Sequence, residues 1–274
     1  MNTIIVPVDH SPVSLNSVHY AANLAKDLGS SITLLNTYEL PLTFSEIPVS
    51  TFTLQELGEL SENRLSELKR SIEHVYSHGM KIYTESKMGF LVDELMELCG
   101  RLQPCAVVMG TTGHGLIHDM FVGGNTVDAM RTLEKPLIIV PPGCVYKKPM
   151  RVGLACDMVE VVENMPVDEI SSLLGHFKPS FHIMNVNGVS EKGINDKNYE
   201  ALMAETLFSE FKPTFHFIES VNVSDKLEDF AESQNLDWII VIPKKHRRFS
   251  EILMKSTSRE LAYQSRIPLV CIHA

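Results

Sequence analysis

The residues best suited to chemistry form one glycine-rich stretch. Gly110-Thr111-Thr112-Gly113-His114-Gly115 is followed by Gly123-Gly124-Asn125-Thr126, a spacing of G-x2-G-x9-G-G. An apolar run ends at Gly110 and a helical pattern starts near Thr126, so the stretch reads as a long loop delivered from a strand onto a helix N-terminus. Glycine lets a backbone adopt positive φ and approach a ligand closely, and the first amides of a helix point at an anion. Such a loop can cradle phosphate. Asn125 or Thr126 can cap the helix. Taken alone, a glycine-rich turn is more often a plain surface loop, so the surrounding elements decide. A second signal is Asp9, an acid closing the apolar run 3–9. Its plain reading is a cap on the next helix, which is compatible with a ligand contact.

Those residues need a scaffold, and the chain supplies one twice. Apolar strands alternate with amphipathic helices, the pattern of an α/β fold with a parallel sheet. In the first half, strands are expected at 3–9, 32–38, 81–87, 105–110 and 137–140. Helices are expected between them, starting at Ser11-Pro12 and then at 54–77, 91–102 and 126–133, with Gly29 stopping the first. In the second half, 151–157 is again a strand ending in an acid, Asp157, and a helix follows with Pro166 near its start. Strands at 181–186, 214–219, 238–243 and 269–272 alternate with helices at 199–211, 224–234 and 252–264. The first copy is the longer one, and much of the excess falls in 40–53, where Pro41 and Pro48 read as loop. The expectation is two tandem doubly wound five-stranded parallel sheets, residues 1–142 and 149–274, joined by a Gly/Pro/Lys linker at 143–149. Ligands of such sheets sit beyond the carboxyl ends of the strands where the strand order reverses, which points to the loops after strands one and four.

Composition narrows the function classes. The chain has 274 residues, 44% of them hydrophobic and 21% charged, as expected of a globular protein with about two domains. Its net charge of −10 disfavours nucleic acid and anionic membrane as partners. No apolar stretch approaches the roughly 18 residues of a membrane span, and because Met1-Asn2-Thr3 runs directly into Ile4-Ile5-Val6, no secretory leader is expected. The five cysteines lack a C-x-x-C and mostly lie in apolar runs. They read as packing residues in a reducing compartment, with redox sensing the lesser reading, and the expected location is the cytoplasm.

With Asp9 closing strand one and the glycine loop after strand four, the chain resembles the universal stress protein family, in its ATP-binding subgroup. That family's pattern is G-x2-G-x9-G-(S/T), and Gly110, Gly113 and Gly123 match its glycines. The segments Val6-Pro7-Val8-Asp9-His10-Ser11-Pro12 and Pro136-Leu137-Ile138-Ile139-Val140-Pro141 also look like the family's. The resemblance implies an ATP site in the first copy. Val8 would help form the adenine wall, and Asp9 would face the ribose or adenine side. The Gly110–Gly113 turn would line the ribose and α-phosphate, and Gly123, Gly124, Asn125 and Thr126 the outer phosphates. A Mg2+ ion would come with the phosphates; no protein ligand set for a metal stands out. The Ser/Thr expected after the third glycine is Gly124 here, so one hydroxyl contact is missing while the amides remain. The resemblance further implies an internal pseudo-dimer of the two copies, with a homodimer of the whole chain also open.

In the second copy Pro243, His246 and Ser256 stand at the three glycine positions, although Thr257 and Asp157 keep the Ser/Thr and the acid. Nucleotide held in the first copy's manner is not expected there. The run Lys244-Lys245-His246-Arg247-Arg248 reads as a solvated loop or a weak anion contact. His114, His118 and Asp119 lie in the glycine loop, but nothing orients a hydrolytic base. No G-x-x-x-x-G-K-[ST], H-E-x-x-H or G-x-S-x-G occurs. No catalytic residue is therefore assigned. The expectation is an ATP-binding regulatory protein of the stress response, with a non-nucleotide interaction module and a slow ATPase as the alternatives.

Overall fold

The structure, a computed structural model, describes residues 2–39, 53–76, 79–111, 124–187, 194–220, 222–243, 261 and 265–274. The first half runs β1 (Thr3–Pro7), α1 (Pro12–Leu28), β2 (Ser31–Tyr38), α2 (Leu54–Val75), β3 (Ile82–Met88), α3 (Leu91–Leu102), β4 (Ala106–Gly110), α4 (Gly124–Thr132) and β5 (Leu137–Val140). The second half runs β6 (Arg151–Ala155), α5 (Val161–Asn164), α6 (Val167–Gly175), β7 (Ser180–Asn187), α7 (Ile194–Leu207), β8 (Thr214–Glu219), α8 (Val223–Ser233), β9 (Trp238–Val241) and β10 (Leu269–Cys271).

Local chemistry sets these boundaries. Every residue of β1 is buried, as befits a parallel strand covered on both faces. Ser11 caps α1 by accepting from the Ser14 amide, Pro12 opens the helix, and Gly29 ends it in the left-handed conformation at φ 62°. Thr53 and Glu56 form a reciprocal capping box at the start of α2. In the second half Pro166 sits just before α6, and a separate short turn of helix, α5, precedes it. Helix α7 begins at Ile194, earlier than the sequence suggests, and a 3-10 turn over Ser209–Phe211 follows it. The loop expected at 40–53 lies outside the described residues except at Thr53, and so does the last expected helix except at Leu261, which is helical and buried.

The strand order is β3-β2-β1-β4-β5-β10-β9-β6-β7-β8. Each half is a parallel five-stranded sheet whose order reverses beside its first strand, between β1 and β4 or between β6 and β9. The two halves share one sheet. Strands β5 and β10 pair antiparallel, Leu269 with Ile139, Val270 with Ile138 and Cys271 with Leu137, which removes the edge each would otherwise expose. The apolar core on each face of the sheet consequently spans both halves.

A buried hydrogen bond from side chain to side chain pins the halves together beside that seam. Trp238 of β9, fully buried, donates its indole N–H to the Tyr20 hydroxyl of α1 at 2.7 Å. Tyr20 meets the ring of Tyr146 edge-on, and Tyr146 donates to Asp27 at 2.7 Å. Asn16 donates to the carbonyls of Pro141 and Cys144, so the connecting segment is strapped along α1. All five cysteines are thiols, and burial pushes the Cys99 thiol up to about 11, which favours packing over reactivity. Among the described residues no helix is long and apolar enough to cross a membrane.

Tyr20→Phe should test the pin. It leaves a buried N–H without an acceptor, which costs about 1–3 kcal/mol. Denaturant unfolding followed through Trp238, the single tryptophan, should show that loss. A change below about 0.5 kcal/mol would mean that the bond contributes no more than an exposed one does.

Candidate functional site

The strand order reverses between β1 and β4, where sheets of this kind take their ligands. Strand β1 runs on through Val8, which is buried and donates its amide to the Leu35 carbonyl at 2.7 Å. Asp9 then emerges exposed. Its Oδ1 accepts from the Ser11 amide at 2.9 Å, closing a turn into α1, while Ser11 itself caps the helix. Burial alone would raise the Asp9 carboxyl, but hydrogen bonds from Ser11 and Ser14 outweigh it and hold the group below its ordinary value. Asp9 is therefore an ionised acceptor at neutral pH, suited to hydroxyl or amine donors rather than to phosphate.

Two neighbours of Asp9 carried no signal in the sequence reading. His10 has a left-handed backbone, φ 63°, and its Nε2 is enclosed with no hydrogen-bond partner. Burial and the positive charge of Arg64 on α2 lower its pKa, so the ring is neutral. Asn36 on β2 donates Nδ2 to the Val8 carbonyl at 2.6 Å, and its Oδ1 accepts from Ser61 at 2.6 Å. With its one proton given to Asn36, Ser61 accepts from Ser86, also at 2.6 Å. This chain of bonds fixes the end of β1 against β2, α2 and β3. The second half repeats its first link, with Asn185 donating to the Cys156 carbonyl at 2.9 Å. The available sequence signal is a polar residue directly after the largely apolar run of the second strand, residues 32–35.

On the other side of the crevice, Gly110 ends β4. A Cβ there would lie 2.5 Å from Val13 Cγ1 and 2.9 Å from the Val13 carbonyl oxygen, so this glycine lets α1 cross closely over the strand. Thr111, buried, donates its amide to Val140 at 3.2 Å. Helix α4 opens with Gly124 and Asn125 exposed and no acid in its first turn. Thr126 is buried and donates its hydroxyl to the Gly110 carbonyl at 3.3 Å, tying the helix start to the strand end. A Cβ on Gly124 would meet only Asp128 Oδ2, at 4.0 Å. The first amides of a helix lack intrahelical acceptors, so this end presents donors at the crevice. Gly113, Gly123, His114, His118 and Asp119 lie outside the described residues.

The corresponding crevice of the second half is built differently. After β6 comes exposed Asp157, then Met158 and Glu160, both with left-handed backbones. Met158 and Val161 are buried in the core. The Val161 amide donates to Glu200 Oε2 of α7 at 2.9 Å, so a carboxylate already sits at the start of α5. The basic run 244–248 and residues 255–258 lie outside the described residues. Among the described residues no group of three or more His, Cys, Asp or Glu side chains could hold a metal.

The two described glycines of the motif should separate by substitution. Gly110→Ala forces α1 away from β4 and should cost about 1–3 kcal/mol of stability, ligand or no ligand. Gly124→Ala meets open space in a helix and should be neutral or stabilising, by up to about 1 kcal/mol. Equal effects of the two in thermal or denaturant unfolding would contradict these assignments.

The family model of the universal stress proteins matches residues 1–141 and 189–273. A curated universal stress protein from Methanocaldococcus jannaschii is 27% identical over 139 residues, which is 50% of this chain and 80% of the relative. Among solved structures, a universal stress protein from Archaeoglobus fulgidus DSM 4304 superposes with a TM-score of 0.74 at 19% identity, over 99% of this chain and 98% of that one. A functionally unknown protein from Pseudomonas aeruginosa PAO1 does so with 0.66 at 10% identity, over 100% and 92%. At such identities the solved structures speak to the fold alone. The sequence match spans both halves of the sheet, and the chain belongs to the universal stress protein family.

Proposed function

We propose that this chain is an ATP-binding regulatory protein of the stress response, acting in the cytoplasm through nucleotide occupancy rather than turnover. The observation that carries the reading is the start of α4. Its exposed residues Gly124 and Asn125 stand at the carboxyl end of β4, held there by Thr126 on the Gly110 carbonyl. They share the sheet's switch point with ionised Asp9. A helix N-terminus on one side and a carboxylate acceptor on the other match the two ends of a nucleotide, phosphate and sugar.

In this reading Asp9 accepts from the ribose hydroxyls and Val8 backs the adenine. Gly110 shapes the turn by admitting α1, and Gly113 lines the ribose and α-phosphate. Gly123, Gly124, Asn125 and Thr126 offer amides to the outer phosphates. The Thr126 hydroxyl, engaged with Gly110, positions the helix instead of touching ligand. Any Mg2+ would be held by the phosphates. The nucleotide unit is residues 1–142. Residues 149–274 form a unit of the same fold without a nucleotide site, and the Glu200 carboxylate and buried Met158 at its crevice support that asymmetry.

Gly113→Val and Gly123→Val should each abolish ATP binding in a calorimetric titration while the far-UV spectrum is unchanged, because a β-branched side chain denies both positive φ and close phosphate approach. Gly124→Ser, which has room for its side chain, should tighten ATP several-fold by adding one hydrogen bond. Wild-type affinity in both valine variants would show that the loop does not hold the phosphates.

A further inference from the structure

We infer that the second half positions the phosphate helix of the first, through His273; the functional part of this inference rests on the nucleotide reading above. His273 follows β10, is buried, and places Nε2 2.8 Å from the Met130 carbonyl in the last turn of α4. A carbonyl only accepts, so His273 donates from Nε2 and that nitrogen carries the proton. The Met130 carbonyl is among the last four of the helix, which have no intrahelical donor. The bond therefore satisfies a buried acceptor that α4 cannot satisfy itself, with a residue 143 positions away.

The placement gives the bond a mechanical role. Helix α4 has nine residues, roughly 13 Å of rigid rod. At its start Thr126 ties it to β4, and at its end His273 ties it to the strand on the far side of the seam. Along and just past the helix, Ala129, Met130 and Leu133 pack in a core that includes Leu261, Leu269 and Cys271 of the second half. Releasing the far pin lets the rod tilt and moves the amides at its start. A half without its own glycine loop thus contributes to the site of the other, and His273 is a positioning residue that touches no ligand.

The test uses the full chain and three variants. His273→Gln keeps an amide N–H at about the reach of Nε2. His273→Asn carries the same group too short, and His273→Leu removes it. Hydrogen exchange of the α4 amides should quicken at least about fivefold in the Asn and Leu variants and return near wild type in the Gln variant. ATP affinity, measured well below each melting temperature, should fall about five- to tenfold in the same two variants and recover with Gln. Wild-type exchange in the Asn and Leu variants would overturn the tether. Faster exchange with unchanged ATP affinity would overturn its link to the site. Wild-type protein that binds no ATP would sink the nucleotide reading and the positioning role with it, while the exchange data still decide the tether.

Discussion

The structure depends on the antiparallel pairing of β5 with β10. The ladder itself is short, three residue pairs, and could not hold two domains by its hydrogen bonds alone. Its effect comes from what it does to the cores. Side chains alternate along both strands, so Ile138, Val140, Val270 and Ile272 enter one apolar layer while Leu137, Ile139, Leu269 and Cys271 enter the other. Each layer therefore runs unbroken through the seam. Separating the halves would expose both layers together, along with two strand edges and the buried pair of Trp238 and Tyr20.

That continuity frees the halves to diverge at their crevices without losing the fold. The first keeps an ionised acid and an open helix start. The second fills the same region with Met158, Val161 and the Glu200 carboxylate. Both retain an asparagine clamp on the end of their first strand, Asn36 on Val8 and Asn185 on Cys156. The clamp thus belongs to the scaffold, and the halves differ in the glycine loop that one carries and in the groups that fill the crevice of the other.

Much of the fold was legible because its signals are local. Ser11-Pro12 and Gly29 bracket α1 by capping chemistry, and buried parallel strands read as apolar runs. The shared sheet was not legible. Leu137–Val140 and Leu269–Cys271 are apolar whether one edge or both are paired, so no local pattern reports their meeting. Asn36 was missed for the same reason: its partners Val8, Ser61 and Ser86 are distant in sequence. Gly110 shows a subtler limit. Its place in the motif suggested phosphate approach, whereas its missing Cβ is required by Val13 of α1. One glycine can serve a motif and a packing contact, and sequence displays only the first.

We propose one nucleotide site per chain, at the parting of β1 and β4. Titration calorimetry of the full-length protein with ATP, at an ionic strength that screens exposed basic loops, measures this directly. The expected stoichiometry is one ATP per chain. Two equivalent sites, or no binding at all, would contradict it.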